Sequence, residues 1–113
     1  MMHENIENAL EEVADQVRVE CGPYVNRTKA VEFTTKIAKA LTADCKAHPS
    51  DSERIAQNVQ KHQLNLDGGK AGLILSSAGE FEVYPNETHM SGTGAVEFFD
   101  WLDLVQESVG FSG

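Results

Sequence analysis

No lysine or arginine follows Lys70 in this chain of 113 residues. Long apolar runs are missing too. The longest, Ala71-Gly72-Leu73-Ile74-Leu75, falls far short of the roughly 20 residues that cross a bilayer. The opening, Met1-Met2-His3-Glu4-Asn5-Ile6-Glu7, has no basic stretch followed by an apolar one. No secretory signal is read there, and a cytoplasmic location is expected, the host cytoplasm if the source is a phage or mobile element. Cysteine is scarce, with Cys21 and Cys45 the only two. In a reducing compartment both are expected as free thiols packing like small hydrophobes, with a Cys21–Cys45 disulfide as the alternative. Cys45 and His48 form one close ligand pair, whereas a structural zinc site takes four ligands. No metal and no cofactor are expected.

Catalytic signatures are also absent. There is no Gly-x-Ser-x-Gly elbow, and the Ser, His and Cys residues show no recognised spacing. Gly92-Thr93-Gly94 precedes a predicted helix, but that helix carries four carboxylates and no base lies nearby. A phosphate would be repelled there, so the segment reads as a loop and a cap. The chain is read as non-enzymatic.

Apolar residues at 41% and charged residues at 24% are ordinary for a globular protein, and the length suits one domain over 1–113. The charge is not ordinary. Eighteen acids stand against nine bases, for a net charge of −9. Residues 1–22 carry −5, residues 23–70 carry +3 and residues 71–113 carry −7. Such a distribution predicts a surface with sides of opposite character. It disfavours direct binding of nucleic acid, which needs cations facing the phosphates.

Four helices are predicted. Ile6, Leu10, Val13, Val17 and Cys21 recur at helical spacing over about 4–20, with Glu7, Glu11 and Asp15 opposite. A second helix runs over about 27–46, its stripe formed by Val31, Thr34, Ala38, Leu41 and Cys45 with Phe33 and Ile37 beside them. Lys29, Lys36, Lys39 and Lys46 share its far face, a face that could receive the acidic sides of neighbouring helices at its edges. Ser50 and Glu53 suggest a capping box opening a third helix over about 51–62. Asp67-Gly68-Gly69-Lys70 is turn chemistry, and the alternation in Glu80-Phe81-Glu82-Val83-Tyr84 predicts a β-hairpin over about 71–84. Gln63-Leu64-Asn65-Leu66 offers a short extra strand. Pro85 to Gly94 reads as a polar loop whose Ser91 or Thr93 caps a last helix over about 95–108. Phe98, Phe99, Leu102 and Val105 form the expected core stripe of that helix, with Trp101 at the edge. The fold class is α+β: three N-terminal helices, a hairpin or small antiparallel sheet, and a C-terminal helix.

The candidate site follows from charge and aromatics. Glu97, Asp100, Asp103 and Glu107 are spaced three, three and four apart and share one helical face. Trp101 beside them is the candidate apolar anchor, and Glu80, Glu82 and Tyr84 extend the patch from the hairpin. Together they point to a protein partner with a basic surface, with no membrane involved. In general character only, the chain resembles the small acidic inhibitors made by phages and mobile elements, such as anti-CRISPR and anti-restriction proteins, and bacterial immunity proteins. That resemblance implies carboxylates occupying a cationic nucleic-acid channel in place of phosphates. Two alternatives stay open: a self-associating adaptor or chaperone-like protein, with a homodimer as its form, and a small enzyme with its site near His89.

Overall fold

Ile6, Leu10 and Val13 lie about one helical turn apart. In the computed structural model, which describes residues 4–84 and 89–109, they form the buried face of α1 (Glu4–Gln16). The helix continues as one wider π turn over Val17–Cys21, so the first predicted helix is a single rod with a changed pitch at its end. Gly22 terminates it at φ 59°, a left-handed value that glycine adopts freely. The N-terminus of α1 is capped from a distance. The buried carboxylate of Asp44 accepts bonds from the Ile6 amide at 2.7 Å and from Asn5 Nδ2 at 2.8 Å. An acid at the positive end of a helix dipole is favourable, and here it also satisfies an amide that has no partner within its own helix.

A two-residue strand, β1 (Tyr24–Val25), leads into α2 (Arg27–Ala47), whose N-cap Asn26 accepts from the Lys29 amide at 2.9 Å. The buried face of α2 runs through Ala30, Phe33, Ile37, Leu41 and Cys45, with Thr34 and Thr42 returning their hydroxyls to carbonyls one turn back. After a 3₁₀ turn at Pro49–Asp51, α3 (Ser52–Gln60) begins with Asp51 in the cap position. The expected Ser50–Glu53 capping box is therefore corrected: Pro49 starts a tighter turn first, and Asp51 is buried and pairs with Arg54 at 3.0 Å.

The sheet has strand order β2–β3–β4, all antiparallel: β2 (Leu64–Leu66), β3 (Gly69–Leu75) and β4 (Phe81–Tyr84). Leu64 pairs with Ala71, Leu73 with Val83 and Leu75 with Phe81. Period two then places all six of these side chains on one face, where α2 and α3 cover them. The expected hairpin and extra strand are both present, but β3 begins at Gly69, inside the expected turn, and β2 begins at Leu64 rather than Gln63.

A second, two-stranded ribbon pairs β1 with β5 (Thr93–Gly94), which runs directly into α4 (Ala95–Ser108). Ala95 N donates to Pro23 O at 2.9 Å, and Thr93 Oγ1 donates to Asn65 O at 2.5 Å. Thr93 thus ties the ribbon to the sheet, and Gly94 rather than Ser91 or Thr93 is the cap of α4. Residues 85–88 of the expected polar loop lie outside the described residues. Phe33, Phe98 and Trp101 meet edge to face at centroid distances of 5.9 and 5.7 Å, joining α2 to α4 at the centre of the core. The architecture is α+β, with the predicted helices in their predicted order.

Candidate partner-binding surface

Helix α4 is turned relative to its expected stripe. Ala95, Phe98, Trp101, Leu102 and Val105 face inward, while Phe99 is only half-buried. Trp101 is 2% exposed, and its indole N–H donates to the His62 carbonyl at 3.2 Å. Its place as a surface anchor is corrected. The large ring stabilises more inside the core, where that carbonyl also satisfies its one polar group. Glu97, Asp100, Asp103 and Glu107 are all exposed. Glu97 folds back against the cap residue Gly94. Among the described residues no ion pair relieves Asp100, Asp103 or Glu107.

Two of the α2 lysines find acids, but not these. Lys36 Nζ lies 2.9 Å from Glu12 on α1, and Lys29 lies 3.4 Å from both Glu20 and Glu32. Burial aside, these partners raise the pKa of Lys29, with the Glu20 hydrogen bond the largest cause. The acids of α1 thus split between two flanks: Glu12 turns to α2, while Glu7, Glu11 and Asp15 turn to α4.

Glu80, immediately before β4, and Glu82 and Tyr84 on that strand are exposed. They do not join the α4 ridge. Helix α4 packs on α1, α3, β1, β2 and β5, whereas β4 sits at the far edge of the sheet and packs on β3 and α2. Glu80 and Glu82 instead border a separate groove of about 500 Å³ between α2 and β4, floored by Val31, Ala38, Phe81 and Val83. His89 is exposed and lines neither this groove nor the one beside α1.

What the ridge gains in exchange is α1. Helices α1 and α4 pack together, and between them they carry nine acids and no base. In the sequence, Glu7, Glu11 and Asp15 were legible as the polar face opposite the apolar stripe of the first helix. Their adjacency to α4 is a long-range contact that no local pattern reveals. Among the described residues no group of three or more His, Cys, Asp or Glu could hold a metal ion, and no helix is long and apolar enough to cross a membrane. Both thiols are free. Cys21 is half-buried, and burial pushes Cys45 up to about 11.

No protein-family model, curated protein or solved structure matches the chain.

Proposed function

We propose that the protein is a non-enzymatic binding protein that docks the acidic face of α1 and α4 on a basic protein partner, in the manner of an inhibitor of a nucleic-acid-handling complex. The observation that supports this reading most is the acidity of two packed helices, of which Asp100, Asp103 and Glu107 have no ion pair among the described residues. The two packed helices carry nine carboxylates, of which Glu12 pairs with Lys36 and Asp15 with Arg18, leaving the face strongly acidic. Like charges one turn apart cost an isolated helix a few tenths of a kcal/mol per pair, a cost that folding alone gives no reason to keep. The longer of the two, α4, spans about 21 Å at the usual rise per residue. The same length of duplex DNA carries about 12 phosphates, so the charge density falls within a factor of two of nucleic acid. Such a face steers toward cationic channels and makes association fall with salt.

The test is affinity capture from the source cells with wild-type protein and with the variant Glu97→Gln, Asp100→Asn, Asp103→Asn and Glu107→Gln. A basic protein retained by the wild type at low salt, and released both by salt and by the substitutions, supports the reading. Identical capture by both proteins, or a partner insensitive to salt, contradicts it.

A further inference from the structure

A groove of about 680 Å³ runs between α1 and α4. Leu10 and Ala14 from α1, with Phe99 and Leu102 from α4, make an apolar floor. Glu7, Glu11 and Asp15 stand along one wall, and Asp103 with the neutral Gln106 along the other. Asp103 is the ridge member that reaches the groove. Resting on the acidic-surface reading above, we propose that this groove receives an amphipathic helix of the partner, with an apolar stripe flanked by lysine or arginine.

Three features argue for that occupant. First, two packed helices with an apolar channel between them present the ridges against which a third helix seats. From Glu7 to Arg18 the wall rises about 16 Å, or roughly three turns of a docked helix. Second, apart from Arg18 at the end of the channel, the charged groups along the walls are all acids. A neutral or acidic helix would desolvate Glu11 and Asp103 with nothing to compensate them, whereas flanking cations do so. Third, the chain already places one cation in the groove. Arg18, at the end of the channel, lies 2.8 Å from Asp15 and 5.4 Å from the centre of the Phe99 ring. A guanidinium paired with a wall acid and stacked on the floor is the contact a docked helix would repeat along the groove.

The experiment uses the full chain, isotope-labelled, and three synthetic peptides of about 14 residues, a length that covers the groove as a helix. The first peptide contains leucine and lysine with leucine at helical spacing. The second has the same composition scrambled to remove the stripe, and the third is the striped peptide with glutamate in place of lysine. The striped lysine peptide is expected to bind about tenfold more tightly than the scrambled one, with amide shifts centred on Leu10, Ala14, Phe99 and Leu102. Glu11→Lys with Asp103→Lys, both at exposed positions, should weaken it about tenfold while the far-ultraviolet spectrum stays unchanged. Arg18→Gln should tighten it by vacating the end of the groove. Equal binding of the striped and scrambled lysine peptides, with shifts spread over Asp100 and Glu107, would overturn the groove and leave the acidic-surface reading standing. Binding of the glutamate peptide as tightly as the lysine peptide would overturn both, as would failure of both lysine peptides to bind at low salt.

Discussion

Asp44 is buried because it serves a helix other than its own. Its two oxygens satisfy the start of α1, so its charge is compensated by an amide, a side-chain donor and a helix dipole. Asp44→Ala is expected to cost about 2 kcal/mol by leaving the buried Ile6 amide without an acceptor, read as a lower urea midpoint at unchanged slope. Trp101 carries a parallel lesson. Because it lies in the core against Phe98, Trp101→Ala should destabilise by about 3–5 kcal/mol. A variant of native stability with altered binding would show that the ring faces a partner instead. Cys45 gives the pH dependence. Its thiol is raised from 9.0 to about 11, with burial the largest cause. A raised acid stabilises the fold fully below pH 9, and that contribution is lost as pH rises toward 11, because only the unfolded chain ionises freely. Unfolding free energy should therefore fall over that window, and Cys45→Ala should flatten the decline.

At the scale of elements, what was legible depended on whether the signal was local. The β3–β4 hairpin was readable because Phe81 and Val83 alternate with exposed acids over a full strand. Its turn closes at Gly79, where φ is 81°. Gly79→Ala should cost about 1 kcal/mol, seen as a fall in melting temperature, since a side chain is strained at that angle. Helix α4 shows the limit. Phe98-Phe99 and Trp101-Leu102 are adjacent apolar pairs, so periodicity alone admits more than one inward stripe. The rotation is settled by tertiary contacts: Phe33 against Phe98, and the His62 carbonyl waiting for an indole N–H. Strands β1 and β5 are two residues each and carry no period at all. The ridge of acids was legible as a helical face, but its hairpin extension was not placeable, because which edge of a sheet meets which helix is a matter of topology.

Across the whole molecule, the acids of α1 and α4 are only partly matched by bases. The cationic middle of the chain is partly spent on α1, through Lys36 with Glu12, and none of it reaches Asp100, Asp103 or Glu107. The folded protein therefore holds a repulsive face in reserve. Converting Asp100 to Asn, Asp103 to Asn and Glu107 to Gln should raise the unfolding free energy at low salt by about a few tenths of a kcal/mol per like pair, seen as a slightly higher melting temperature, and the gain should vanish at high salt. A stability gain paired with a loss of binding would mark the acids as kept for recognition.

The measurement that bears most directly on this is the association rate of the wild-type chain with the striped lysine peptide from about 0.01 M to about 1 M salt, where the Debye length shrinks from about 30 Å to about 3 Å. The same rates are taken for Glu11→Gln with Asp100→Asn, Asp103→Asn and Glu107→Gln. The expected result is a wild-type rate that falls steeply with salt and a variant rate that is slower at low salt and nearly flat. Coincident salt profiles for the two proteins would mean that the acids of α1 and α4 only solubilise the molecule, and the proposed docking face would be contradicted.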